Sequence, residues 1–519
     1  MTGEQNATPP SDAGARAPVW RHLLPGVADI YCILLAAQLL IAHSMFTNDF
    51  WWHLALGEQT LEDRALPTVD TLSYTVAGAP LSSHSWLSDV LYAWLERVSG
   101  LGLVAVLGAV TVAATLRLVF AFARALGASS AASLGAVLVF AALGDDKLIL
   151  RPLLFTYLGF VWLLLAYARF RDGSSRQILL APLAVALWSN LHGGFLLGIA
   201  VLGGAALLEL VEGQRRRAGT LLLLAGLSAL AACLHPDGWH QYARSFENTP
   251  LSDPIHTYID EWQPPDLGRI SALKPVIVGA FAVALLLPRR PSLFEMGGFL
   301  ASLFLALSAW RHVVLFGAFA GPALAAWVTR ILAERETAIA ARAPALPRLG
   351  AKLEEVLGVG GAPGGALALV AFALVAGGAE LKEPRDVLAH PAIQARFPVE
   401  ATEWLRANKV RGPMLNSYQL GGYLGWRLRG QQRVYVDSRL FIFRPIWEEF
   451  LHIEDAFPDW KPRLEKRGAT WTILAKNSKL APLLRADAAW RLVYADRLVR
   501  IFARRDGPEA SLPEVPEPG

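Results

Sequence analysis

The stretch VADIYCILLAAQLLIAHSMFTNDFWWHLALG, residues 27–57, joins two kinds of sequence. Val27 to Met45 is almost wholly apolar and close to the roughly 20 residues that span a hydrocarbon core. Directly after it, from Asn48, come an acid, two indoles and an imidazole: Asp49, Trp51, Trp52 and His53. The apolar run follows a polar, Pro- and Ala-containing tail and has no small-residue cleavage site, so it is expected to remain as a membrane span rather than leave as a signal peptide.

Working outward, apolar segments recur near 102–123, 128–144, 152–168, 178–191, 194–211, 219–234, 272–288, 292–309, 313–329 and 362–379. With the first run this makes about eleven spans. A chain of 519 residues with 54% hydrophobic and only 18% charged residues lies outside the usual composition of soluble proteins. The net charge of +4 and pI near 9.0 do not point to nucleic acid, because the basic residues sit in short clusters between the apolar runs. Placing the N-terminus in the cytoplasm puts Arg16 and Arg21, Arg124, Arg169, Arg171 and Arg176, Arg215, Arg216 and Arg217, Arg289 and Arg290, and Arg330 and Arg335 all inside, as the positive-inside rule requires. The same rule favours hairpins at Asn190–Gly194 and Trp310–His312, each of which the hydropathy alone would also allow as one long tilted helix.

The expected organisation is therefore a cytoplasmic tail (1–26), a transmembrane helical bundle (27–379) with a large first external loop (46–101), an extracytoplasmic α/β domain (380–507) and a disordered Pro- and Glu-rich end (508–519). In the α/β domain, Val399–Asn408 and Pro445–Phe457 read as helices. Pro413–Tyr418, Arg433–Asp437, Thr470–Ala475 and Arg491–Ala503 read as extended. The two cysteines, Cys32 and Cys233, lie in apolar segments and build neither a disulfide framework nor a thiolate metal site.

On this topology the polar chemistry gathers on the outer side. His53, His84, His192, His235, His240, His256, His312, His390 and His452 all fall in or beside external segments. Asp49 and His53, set against Trp51 and Trp52, combine a base with aromatic faces suited to sugars. On composition alone, an interfacial aromatic belt with Asp49 capping a helix is an equal reading. Asp145 and Asp146 offer hard oxygen ligands for a cation or a means of orienting a phosphate, beside Lys147 and Arg151. The alternative is a solvated loop pairing its own charges. Arg151, His192, Arg311 and His312 are candidates for a cationic phosphate pocket. His84, Trp86, Glu261 and Trp262 are candidates for acceptor or sugar contacts. Asp437 and Arg439 end an extended run, where α/β domains often bind ligands, although an ion pair fixing a loop fits equally. No G-x-G-x-x-G follows a strand and no G-K-[ST] occurs, so no nucleotide cofactor is expected.

The block Asp49-Phe-Trp-Trp-His-Leu-x-x-Gly57, with Pro67, Asp70 and Ser73-Tyr-Thr75, then Arg151-Pro152 and Phe155, Asn190-Leu-His-Gly-Gly194, Glu261-Trp-Gln-Pro264 and Val434-Tyr-Val-Asp437, resembles bacterial polytopic proteins of the glycosyltransferase C superfamily. That superfamily includes oligosaccharyltransferase catalytic subunits, protein O-mannosyltransferases and lipid A aminoarabinose transferases. The resemblance implies an inverting membrane glycosyltransferase using a polyprenyl-phosphate-linked sugar at the outer face of the bacterial cytoplasmic membrane. It places Asp49 as the acid of the first external loop, acting as general base, and Asp145-Asp146 where many relatives carry a second acidic motif. The acceptor, whether glycan, lipid or protein, is open. So is a divalent cation, Mg or Mn, because a lone acid stands where some relatives carry a pair. Two other classes fit the same outline: a transporter or flippase for a lipid-linked envelope precursor, and a non-catalytic envelope assembly protein. The first would carry ionisable or broken-helix sites near mid-membrane.

Overall fold

In a computed structural model of the protein, the described residues are 25–42, 46–82, 84–247, 258–268, 272–357, 362–383 and 386–517; Arg16, Arg21 and His256 lie outside them. Every expected apolar segment contains a helix. In chain order the bundle comprises α1 (Val27–Ala42), α2 (Asn48–Asp63), α3 (Trp86–Ser99), α4 (Leu101–Ala125), α5 (Ser130–Leu143), α6 (Leu153–Arg171), α7 (Ala181–Leu191), α8 (Leu196–Val211) and α9 (Arg215–Ala232). It continues with α10 (His240–Glu247), α11 (Leu273–Leu285), α12 (Leu293–Ser308), α13 (Val313–Glu334), α14 (Glu336–Arg342), α15 (Ala345–Leu357) and α16 (Ala362–Lys382). Five helical segments, at Leu101–Ala125, Leu153–Arg171, Gly193–Val211, Trp310–Glu334 and Pro363–Lys382, are long and apolar enough to cross a membrane alone. Five shorter apolar helices accompany them, including α1, α5, α11 and α12. The chain is a mostly helical, multi-pass membrane protein.

Both doubtful segments are hairpins, and both are made by one device. His192 (φ −163°, ψ 143°) and Ala309 (φ −155°, ψ 136°) leave the helical region for extended backbone, and a 3₁₀ turn then opens the next helix, at Gly193–Phe195 and Trp310–His312. Ion pairs show that the chain reverses. Arg171 at the end of α6 meets Glu212 just after α8 at 2.6 Å, while Thr156 at the start of α6 meets His192 at 2.7 Å. Arg330 late in α13 pairs with Glu295 in the first turn of α12. The arginine clusters thus collect at one end of the bundle and the polar connections at the other.

The C-terminal domain contains α17 (Pro391–Gln394), α18 (Val399–Ala407), α19 (Gly421–Arg427), α20 (Trp447–Glu454), α21 (Trp460–Lys466) and α22 (Ala481–Ala486). Its four strands, β1 (Met414–Asn416), β2 (Trp471–Ala475), β3 (Trp490–Ala495) and β4 (Val499–Arg504), form a sheet in the order β1-β2-β4-β3. β1 runs parallel to β2, and the other pairs are antiparallel. Arg433–Asp437, expected as a strand, is not part of that sheet. It is extended because it takes a partner from the first loop: Tyr74 donates its backbone N–H to Val434 O (3.1 Å), and Val434 donates to Leu72 O (3.0 Å). The end of the chain, expected to be disordered, instead lies along the sheet through residue 517. Val515 donates its backbone N–H to Leu492 O at 2.9 Å, and Glu517 meets the Arg500 side chain at 2.5 Å.

Most of the first-loop motif is therefore spent on attachment. Trp51 is fully buried, stacked on Trp426 (4.9 Å) and edge-on to Phe397 (5.1 Å) and Tyr423 (5.0 Å) of the C-terminal domain. Gly422 admits the close approach: a Cβ there would lie 2.4 Å from Asn48 O. Gly57 does the same between α2 and α3, where a Cβ would lie 1.9 Å from Asp89 O.

Candidate active site

The site forms where five connections meet at the polar end of the bundle. Thr47 caps α2 by accepting from Phe50 N–H (3.3 Å), which sets Asp49 in the first helical turn, where the helix dipole favours an acid. A bridge between Phe46 and Leu150 lays this turn beside the α5–α6 connection. Asp49 Oδ2 consequently stands 3.9 Å from Arg151 Nη1, with its carboxylate side chain 37% exposed. That exposure leaves room for a substrate hydroxyl.

Arg151 is buried, and its Nη1 donates to both oxygens of Glu261 at 2.9 and 3.2 Å. Lys147, also buried, lies 3.3 Å from Glu261 and 3.9 Å from the centre of the Trp310 ring. Arg311 covers the Trp262 ring at 4.2 Å, and its guanidinium has no carboxylate within ion-pair distance among the described residues. The loop carrying Glu261 and Trp262 is seated on the α12–α13 turn through Trp310 N–H, which donates to Gln263 O at 2.8 Å. Burial opposes ionisation of Glu261, but Arg151, Lys147 and Arg311 together outweigh it and hold the carboxyl at about 2. Arg151 keeps Nε and Nη2 buried without a hydrogen-bond partner among the described residues. Each such orphan donor costs about 1–3 kcal/mol, so the cluster is poised to accept further negative charge.

His192 sits beside this cluster as a neutral donor. Its Nδ1 accepts from Gly194 N–H (3.0 Å), which fixes the remaining ring proton on Nε2. Thr156 completes the arrangement by donating to the same Nδ1 while accepting from Trp188 Nε1 at 2.9 Å. Burial, reinforced by His84 and Arg311, pushes the His192 imidazole well below its usual range. The His84 ring lies 5.9 Å from that of His192 and opens onto the cleft, yet it is enclosed deeply enough that desolvation, then His53, push it down to about 4. The C-terminal domain contributes Tyr418. Burial, then the nearby charges of Asp49, Asp437 and Glu261, raise its phenol above the usual range.

The structure brings Asp49, Arg151, Glu261, Trp262, Arg311, His192 and His84 together and turns other candidates away. Trp51 and Trp52 face protein, with 0% and 8% exposure, so their indoles serve packing rather than a sugar. His53 is buried, donates from Nδ1 to Asp89 Oδ1 at 2.7 Å and lies against Trp52; it braces α2 on α3 and is not open as a base. His312 donates from Nδ1 to Leu305 O at 3.3 Å, closing the end of α12. Trp86 donates to Asn190 Oδ1 at 2.8 Å, tying α3 to the α7–α8 turn. Asp437 and Arg439 form a buried pair at 2.6 Å, and Arg439 also binds Asp70 at 2.7 Å, so this cluster clasps the first loop to the C-terminal domain. Asp145 and Asp146 are exposed, and Asp146 pairs with Lys147 at 3.1 Å. Among the described residues no three His, Cys, Asp or Glu side chains gather as a metal cage.

Sequence reading missed Lys147 as a pocket residue, together with Thr156 and Tyr418. Lys147 lies with Arg151 in the non-helical α5–α6 connection, where spacing along the chain does not tell which side chains share a face, and Tyr418 carried no signal either.

The sequence matches no protein-family model and no curated protein. The structure is similar to the archaeal oligosaccharyltransferase AglB from Archaeoglobus fulgidus, solved with an inhibitory peptide and a dolichol-phosphate (TM-score 0.48, 12% identity, 88% of this chain and 69% of that one). It is also similar to ArnT from Cupriavidus metallidurans, solved with undecaprenyl phosphate (TM-score 0.47, 16% identity, 92% of this chain and 98% of that one).

Proposed function

We propose that this protein is a membrane glycosyltransferase that moves a sugar from a polyprenyl-phosphate carrier to an envelope acceptor on the outer face of the cytoplasmic membrane. The observation that carries the reading is a partly exposed carboxylate, Asp49, held 3.9 Å from the buried Arg151 and near the guanidinium of Arg311, which has no carboxylate within ion-pair distance among the described residues. A base and a phosphate pocket thereby share one cleft. In the proposed reaction Asp49 takes the proton of the acceptor hydroxyl, whose oxygen attacks the anomeric carbon. The bond from that carbon to the phosphate oxygen breaks, and the electron pair leaves with the polyprenyl phosphate. Arg311, Arg151 and Lys147 stabilise its growing charge, and His192 Nε2–H supplies a neutral donor. Attack opposite the leaving group inverts the anomeric centre. Trp262, held by Arg311, and Tyr418 are the proposed walls for sugar and acceptor. The proposed topology has eleven crossings, the N-terminus inside and the C-terminal domain outside.

The charges buried within the bundle weigh against transport. Asp29 pairs with Arg117, Glu209 lies within 4.0 Å of Arg171 and 3.8 Å of Arg217, and Glu295 pairs with Arg330. All three sets lie toward the arginine-rich end, and each is already neutralised. The test is mass spectrometry of polyprenyl-phosphate sugars in cells lacking the protein, complemented with wild type or Asp49→Asn at equal membrane levels. The donor should accumulate without the protein, fall with wild type and stay high with Asp49→Asn. Indistinguishable pools in the two complemented strains would remove Asp49 from the chemistry.

A further inference from the structure

The phosphate pocket already holds an anion of the protein's own. The Glu261 carboxylate accepts twice from Arg151 Nη1, at 2.9 and 3.2 Å, and lies 3.3 Å from Lys147 Nζ. Carboxylate and phosphate present similar oxygens to a guanidinium, and either satisfies it. The match here is incomplete, because Arg151 engages through one nitrogen while Nε and Nη2 stay buried and unpartnered among the described residues. A tetrahedral phosphate has more oxygens to offer than a planar carboxylate. Glu261 is also free to leave without unfolding its surroundings. Its neighbour Gln263 is anchored through the backbone to Trp310, and Trp262 is covered by Arg311, so the Glu261 side chain can swing while the loop stays seated.

We propose that Glu261 is an internal stand-in for the substrate phosphate: it occupies the Arg151–Lys147 subsite in the free protein, and the phosphate of the lipid carrier enters by displacing it. The inference rests on the reading of this cleft as a phosphate site and adds a competitor built into it. Glu261 keeps three buried or half-buried cations compatible with one another while the cleft is unloaded. It weakens binding of the donor and also of the leaving polyprenyl phosphate, which speeds product release.

The experiment uses the full-length protein in an uncharged detergent, titrated calorimetrically with a short-chain prenyl phosphate and, in a second arm, with inorganic phosphate. Wild type is compared with Glu261→Gln, Glu261→Asp and Arg311→Ala. Removing the competing charge in Glu261→Gln, which retains an amide oxygen for Arg151, should tighten prenyl phosphate binding about tenfold. Inorganic phosphate should tighten in parallel, Glu261→Asp should bind as wild type, and Arg311→Ala should weaken both ligands. If Arg311→Ala weakens binding but Glu261→Gln binds as wild type or less tightly, Glu261 is not a competitor and this inference alone fails. Tightening for inorganic phosphate with prenyl phosphate unchanged also overturns it, since the lipid would then enter without displacing Glu261. If neither phosphate binds any variant, the phosphate reading of the cleft falls as well.

Discussion

Asp49 and Trp51 share one helical turn, and the fold sends their side chains in opposite directions. Asp49 faces the cleft at 37% side-chain exposure, while Trp51 is sealed between Trp426, Phe397 and Tyr423. Their substitutions should therefore separate stability from activity. Trp51→Ala removes a buried indole and should cost about 3–5 kcal/mol, read as a lowered unfolding midpoint in detergent. Asp49→Asn should change stability by no more than about 0.5 kcal/mol, as for other part-exposed positions, and leave that midpoint nearly unmoved while abolishing transfer. A destabilised Asp49→Asn protein would mean that the carboxylate is structural. Sequence alone left the acid and the indoles as one undivided constellation, because an aromatic face for a sugar and an aromatic face for a neighbouring domain are the same residue type. Only the partners, some 370 residues further along the chain, distinguish them.

At the scale of elements, the first external loop and the C-terminal domain act as a single body. Arg439 supplies the clasp, bound to Asp437 at 2.6 Å and to Asp70 at 2.7 Å with all three buried. Replacing it with Met leaves two buried carboxylates without their counter-ion, a change that costs about 3–5 kcal/mol at such sites. The expected result for Arg439→Met is loss of protease resistance at the first loop together with loss of transfer; retained resistance would show that the strand pairing of Ser73–Thr75 suffices. Gly422→Ala, whose Cβ would lie 2.4 Å from Asn48 O, should displace the start of α2 and lower transfer while leaving the sheet intact by circular dichroism. Helix positions were legible from hydropathy, since burial in lipid demands long apolar runs. The hairpin at Trp310–His312 was legible only through charge bookkeeping, because its break depends on one extended residue, Ala309, of no distinctive type. Arg433–Asp437 was read as extended with no partner assigned: a β-rich run announces its conformation, not the segment it pairs with, here Leu72–Tyr74 of the first loop.

For the whole molecule, five connections converge at one end of the bundle and the arginine clusters collect at the other. That arrangement fixes which loops share a side. A cysteine placed at Trp239, in a background with Cys32 and Cys233 replaced, should react with a membrane-impermeant maleimide in intact spheroplasts. One placed at Arg290 should react only after permeabilisation. Labelling of both from outside would break the alternation on which the site depends. The site was half legible in sequence: Asp49, Arg151, Arg311 and His192 stood out as polar residues bordering apolar spans, where charge is costly and so marks function. Lys147 and Tyr418 did not, because their place in the cleft comes from how the connections and the C-terminal domain pack.

The central claim is that the cleft cleaves a sugar from a lipid phosphate rather than carrying the intact lipid across. It is tested most directly by reconstituting purified protein into liposomes made with lipid extract from cells lacking it, supplying cell-envelope acceptor, and following lipid-linked sugar and free polyprenyl phosphate by mass spectrometry. The account predicts that wild type converts the first into the second and that Asp49→Asn does not. Intact lipid-linked sugar that moves between leaflets without release of polyprenyl phosphate, at equal rates in both proteins, would contradict it.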